Sequence, residues 1–149
     1  MRSNVEAELR SLAEQYASAV DQRDAESFLA IFHTDATLEV HGNPDSDEPT
    51  STMRGHQELA AVTKRIARYP RTFHMLGQST YETGPDAARG EVYCVANHFD
   101  VSQSEPRNHV MFIRYDDRYE LRDEGGWKIA TRRVLVQWTE TRDVDPPRS

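Results

Sequence analysis

The stretch His109-Val110-Met111-Phe112-Ile113-Arg114-Tyr115-Asp116-Asp117-Arg118-Tyr119-Glu120-Leu121, the turn Asp123-Glu124-Gly125-Gly126, and the run Trp127-Lys128-Ile129-Ala130-Thr131-Arg132-Arg133-Val134-Leu135-Val136-Gln137-Trp138 read as two long strands joined by a tight reversal. The β-branched and aromatic residues suit a pleated surface, and the glycines suit the turn. Upstream, residues 72–81 and 88–100 have the same character and flank the turn signal Gly84-Pro85-Asp86. Strands this close in sequence are most simply antiparallel neighbours. Before Pro70 the period changes. Val5, Leu9, Leu12, Tyr16 and Val20 recur at helical spacing, behind a capping-box pattern at Ser3-Asn4-Val5-Glu6. A second short helix follows, with Asp24 as its cap and Phe28, Leu29, Ile31 and Phe32 as its apolar face. A third is predicted over residues 55–67, with Leu59, Val62 and Ile66 in register, and residues 36–41 form a further short strand. Helices first and a long sheet afterwards predict an α+β fold: a curved antiparallel or mixed sheet with about three helices over one face, enclosing a pocket. Residues 43–52, rich in Pro, Asp and Ser, read as an irregular loop. The tail from 143 to 149, with Pro146-Pro147, lies beyond a single domain of residues 1–142.

Composition narrows the function. The chain has 149 residues, 37% hydrophobic and 29% charged, with a net charge of −7. One sizeable core is feasible at this length. No apolar run approaches the roughly 20 residues that span a bilayer. The acidic first ten residues do not read as an export signal, so a cytoplasmic location is expected. An acidic chain is a poor nucleic-acid binder. A single cysteine, Cys94, excludes a disulfide framework within the chain. A small-molecule ligand or a protein partner remains, with neither nucleic acid nor membrane as partner.

No phosphate loop, dinucleotide fingerprint or nucleophile elbow is present, and no His pair has helical ligand spacing; neither cofactor nor metal is expected. Two histidines lie in apolar strands, His74 in Thr72-Phe73-His74-Met75-Leu76-Gly77 and His98 in Val95-Ala96-Asn97-His98-Phe99. An imidazole in an apolar wall can be held neutral, the form that accepts a proton. The plainer reading is a core histidine with structural hydrogen bonds. Period-two alternation puts His98 beside the small residues Cys94 and Ala96, which favours a cavity there. Asp21, near the end of the first helix, falls about 140° round an ideal helix from Tyr16, which points it toward solvent. Tyr16 itself sits in the apolar stripe, where core packing is its simplest role. His41 ends the short strand before the acidic loop. Arg132 and Arg133 alternate to opposite faces, so one of them faces inward and needs a carboxylate or an anionic group. Asp45, Asp47 and Glu48 lack calcium-loop spacing and read as solvated.

The order of elements resembles the SnoaL-like branch of the nuclear-transport-factor-2-like superfamily. Tyr16, Asp21-Gln22-Arg23-Asp24, Phe28-Leu29-Ala30-Ile31-Phe32 with Asp35-Ala36, and Tyr115, Tyr119, Gly126-Trp127-Lys128-Ile129 with Arg132-Arg133 are similar to its signatures. In site pattern Asp21, His74 and His98 resemble scytalone dehydratases, and Tyr16, Asp21 and His74 resemble bile-acid 7α-dehydratases. The resemblance implies that Asp21 points inward, against the helical periodicity. It implies a cofactor-independent dehydratase or isomerase acting on a small hydrophobic polyketide-, steroid- or aromatic-like substrate. Asp21, His74, His98 and Tyr16 are its expected catalytic residues, and His41, Arg133, Phe73 and Val20 its expected substrate contacts. Val20 stands where scytalone dehydratases carry a tyrosine, which implies a different substrate. The same branch leaves open a polyketide or epoxide-opening cyclase. A non-catalytic β subunit of a ring-hydroxylating dioxygenase and a ligand-binding module also remain. It implies a homodimer or larger homo-oligomer through the open sheet face, where Val134, Val136 and Trp138 are expected side by side.

Overall fold

The computed structural model describes residues 4–123 and 125–148. The expected cap at Ser3 and the turn residue Glu124 lie outside the described residues. Helix α1 runs Asn4–Gln22 and α2 Ala25–Ala30. Strand β1 is Phe32–His41 and β2 Ser51–Arg54, followed by the short helices α3 (Gly55–Leu59) and α4 (Ala61–Ile66). Four long strands complete the chain: β3 Arg71–Thr83, β4 Ala87–Asp100, β5 Arg107–Arg122 and β6 Gly126–Asp143. They form one six-stranded sheet in the order β2-β1-β6-β5-β4-β3. Only β1 and β6 run parallel; the other pairs are antiparallel. The α+β expectation is met.

Several boundaries differ from the sequence reading. The third helix is two short ones that meet at Ala60. Strand β1 begins at Phe32, because the second helix ends before it and Phe32 turns into the sheet. Strand β2 was hidden in a polar stretch, and its short run pairs only with the edge of β1. Asp24 caps α2 as expected, accepting from the Ser27 amide at 3.1 Å and its hydroxyl at 2.6 Å.

The helices cover the concave face, and the core lies between them. Leu9, Tyr16 and Val20 of α1 and Phe28 of α2 pack with Phe32, Leu38, Val92, Tyr115 and Ile129 of the sheet. Bulges curl that sheet. In β6, Ala130 lies between residues paired with Arg118 and Tyr119, and Gln137 between residues paired with Phe112 and Ile113. Each extra residue reverses which side chains face inward. Val134 and Val136 are therefore buried on the inner face, whereas Trp138 is 55% exposed on the outer face. The expected shared face of these three residues does not exist. Trp138 instead stacks on Phe112 with ring centroids 4.5 Å apart.

Candidate active site

Helix α1 brings Asp21 to β3 because its buried arc is wider than the large residues suggest. Ala13 and Ala17 are also buried. On an ideal helix Ala17 lies about 100° and Arg10 about 120° from Tyr16, so the flank of Arg10, Ala17 and Asp21 faces one way. That flank lies on β3. Arg10 donates to the Gly77 carbonyl at 2.8 Å, one end of the contact, and Asp21 makes the other. The small alanines let the helix approach the sheet closely. Asp21 meets β3 rather than solvent, and the periodicity estimate fails because it counted only large apolar residues.

The helix ends immediately afterwards in a left-handed cap. Arg23 has φ +56°, its amide bonds Val20 O at 3.2 Å, and the Asp24 amide bonds Ala19 O at 2.9 Å. Glycine usually takes this position, and a residue with a side chain costs about 1–2 kcal/mol there. The Arg23 side chain is put to use. It donates to the Tyr69 carbonyl at 2.6 Å and to Thr72 Oγ1 at 2.9 Å, tying the helix end to the entry of β3.

Asp21 then receives three hydrogen bonds. His74 Nδ1 lies 2.7 Å from Oδ1, the His74 amide donates to Oδ2 at 3.0 Å, and Thr72 Oγ1 donates to Oδ1 at 2.9 Å. Partial burial disfavours the charged carboxylate, but these donors outweigh it and hold the Asp21 carboxyl below its ordinary range. A carboxylate can only accept, so the proton between the two residues sits on His74 Nδ1. His74 Nε2 is left with its lone pair.

His98 lies on β4 two residues beyond Ala96, the pairing partner of His74, with its ring centroid 5.8 Å from that of His74 and nearly perpendicular to it. Tyr69 packs on its other side at 4.9 Å. Arg68 lies over Tyr69, 4.7 Å from the ring centroid, and donates to its hydroxyl at 2.6 Å. His98 Nδ1 donates to the His109 carbonyl at 2.9 Å. Desolvation pushes the His98 imidazole down to about 4, helped by the nearby His74, His109 and Arg68 and opposed by the His109 carbonyl. His98 is therefore a neutral acceptor near pH 7, not the acid that could protonate a leaving group.

Tyr16 is buried, in a second cluster. Its ring centroid lies 5.5 Å from that of Tyr115, and the Arg132 guanidinium carbon sits 4.3 Å from the Tyr16 ring and 4.0 Å from the Tyr115 ring. Arg132 and Asp117 are wholly buried and paired through two hydrogen bonds of 2.8 Å, with Tyr119 donating to Asp117 at 2.8 Å. Burial raises the Tyr16 phenol above its ordinary value, against the pull of Arg132. Cys94 lies in the field of both clusters, and burial raises its thiol to about 11.

The expected substrate contacts are scattered. The bulge at Ala130 turns Arg132 inward and puts Arg133 on the outer face, where it pairs with Asp116 at 3.1 Å. Arg132 is thus the residue that the sequence reading passed over, and the signal needed was the extra residue in the β6 pairing. Phe73 is 61% exposed on the outer face, because it alternates with His74. His41 is buried, but Ser46 O at 3.1 Å and Glu39 Oε1 at 3.0 Å occupy both ring nitrogens and fasten the loop of residues 42–50. Val20 is buried in the α1 stripe. Among the described residues no three His, Cys, Asp or Glu side chains converge as a metal site.

A helix-covered, curled, unclosed mixed sheet of this order is the fold of the nuclear-transport-factor-2-like class. The chain belongs to the SnoaL-like domain family, which it matches over residues 1–133. It is similar to an uncharacterized protein of Mycobacterium tuberculosis, with 28% identity over 127 residues, covering 84% of this chain and 80% of that one. Among solved structures it is similar to the hexachlorocyclohexane dehydrochlorinase LinA-type3 from Novosphingobium barchaimii. That match has a TM-score of 0.80, 19% identity, and coverage of 96% of this chain and 95% of that one. A scytalone dehydratase-like protein from Novosphingobium aromaticivorans gives a TM-score of 0.78 at 17% identity, covering 95% and 90%. At these identities the structural likeness establishes the fold.

Proposed function

We propose that this protein is a cofactor-independent lyase or isomerase of the dehydratase type, acting on a small hydrophobic polyketide-, steroid- or aromatic-like substrate. The observation that carries the reading is the 2.7 Å contact between Asp21 Oδ1 and His74 Nδ1. Asp21 fixes the tautomer that leaves Nε2 free as a base, and its charge favours the imidazolium formed when a proton arrives. His74 Nε2 takes a proton from carbon next to a carbonyl, and the C–H electron pair becomes the enolate. As the enolate collapses to an alkene conjugated with the carbonyl, the C–O bond at the β carbon breaks. The imidazolium returns its proton to the departing hydroxyl, which leaves as water. His74 serves as both base and acid, because neutral His98 has no proton to give on its free nitrogen.

The solved relatives support this reading by name, one a dehydrochlorinase and one dehydratase-like, since removing HCl or water to form an alkene takes a proton from carbon. Incubation with a panel of β-hydroxy aryl ketones, followed by the absorbance of the conjugated product, tests it. Wild type should release product, and His74→Gln and Asp21→Asn should lose about 10²–10⁴-fold in rate. A His74→Gln variant with full turnover would refute it. The same reading places the enzyme in the cytoplasm as a homo-oligomer that covers the outer-face residues Trp138, Phe112 and Met75. Elution at 17.1 kDa, the mass of one chain, would contradict the oligomer.

A further inference from the structure

The two imidazoles share a polarity that the proposed chemistry does not use. His74 Nδ1 faces a carboxylate and His98 Nδ1 faces a backbone carbonyl, so both partners can only accept and both Nδ1 atoms carry protons. Among the described residues neither Nε2 has a hydrogen-bond partner. Neither is among the buried side-chain atoms sealed off without one, a group containing Arg132 Nη1, so each Nε2 opens onto space that water can enter. The rings stand 5.8 Å apart, and two lone pairs cannot satisfy each other. Of the donors nearby, Arg68 Nη2 bonds the Tyr69 hydroxyl and Asn108 Nδ2 bonds Asn97, and neither contacts His98 Nε2.

We infer that His98 Nε2 is a hydroxyl-recognition subsite: it accepts a hydrogen bond from a hydroxyl of the substrate other than the one that leaves. This deepens the reading of His74 as the base and rests on it for the identity of the bound molecule. The chemistry follows from the geometry. With His74 placed against an acidic C–H, the adjoining acceptor is satisfied only by a donor, so a phenol or secondary alcohol fits and an ether or ketone oxygen there does not. An ether would displace water from this acceptor and leave it facing another lone pair, a mismatch that weakens binding. Tyr69 against His98 supplies the flat apolar surface that a ring bearing such a hydroxyl would need.

The test uses phenol and anisole, which differ by the donor proton, on protein labelled with ¹⁵N-histidine. In the free protein at neutral pH, His98 should show a bare Nε2 and a protonated Nδ1. Phenol should shift the His98 Nε2 resonance and bind about tenfold more tightly than anisole. His98→Phe, which keeps a ring against Tyr69 and removes the acceptor, should abolish that preference. A proton on His98 Nε2, or an equal response to the two probes, including none to either, overturns the subsite. Loss of the His74 Nδ1 proton resonance with the His98 result intact would instead defeat the reading of His74 as base, so the two failures are distinguishable.

Discussion

Acidification should destabilise this protein through one buried imidazole. His98 is 4% exposed, and its environment lowers it from 6.5 to about 4. The unfolded chain therefore takes up a proton near its ordinary value, whereas the folded protein resists until about 4. A depressed folded value means stability that is complete above about pH 6.5 and is lost as pH falls toward about 4, with no further change below. Each unit of difference is worth about 1.4 kcal/mol, which sets an upper bound of about 3 kcal/mol. Solvent reaching Nε2 reduces that to roughly 2 kcal/mol. The window is clear of Asp21, whose lowered carboxyl acts below its ordinary 3.8. Urea unfolding of wild type and His98→Phe at half-unit steps of pH isolates the contribution, since other groups cancel in the difference. Wild type should lose about 2–3 kcal/mol relative to the variant between pH 6.5 and 4. A difference independent of pH would refute the claim that the fold holds His98 as a buried neutral ring.

Three further outcomes follow from other contacts. Arg132→Met leaves Asp117 buried without its cation and should cost about 3–5 kcal/mol in urea midpoint analysis, whereas Arg132→Met with Asp117→Leu should recover most of it. Thr72→Val removes a donor to Asp21 and should lower the rate of proton abstraction several-fold with KM little changed; a KM effect alone would assign Thr72 to substrate contact. Gly90→Ala would place a Cβ 2.7 Å from the Tyr81 ring and 2.9 Å from the Tyr119 hydroxyl, and should destabilise by about 1–3 kcal/mol in thermal melts.

The fold was legible because its signals were long and periodic. The apolar spacing of α1 and the β-branched runs after Pro70 specify both element types. What escaped was phase. Alternation along β6 is readable only between bulges, and the single extra residues Ala130 and Gln137 moved Arg132 inward, Arg133 outward and Trp138 away from Val136. Asp21 shows the same problem in a helix: Ala13 and Ala17 widen the buried arc without standing out in the pattern, so an ideal-helix count aimed Asp21 at solvent when it meets β3. His74 and His98 stood out as candidates because histidine in an apolar strand is conspicuous. Their partners were not, since hydrogen bonds such as Thr72 to Asp21 join residues 51 apart in sequence.

Hydrogen–deuterium exchange measures the proposed proton abstraction without knowledge of the natural substrate. With 2-tetralone in deuterium oxide, deuterium uptake next to the carbonyl can be followed by proton NMR for wild type, His74→Gln and Asp21→Asn. The account predicts catalysed exchange by wild type and a fall of about 10²-fold or more in both variants while their folds persist. Catalysed exchange that survives undiminished in His74→Gln would contradict it.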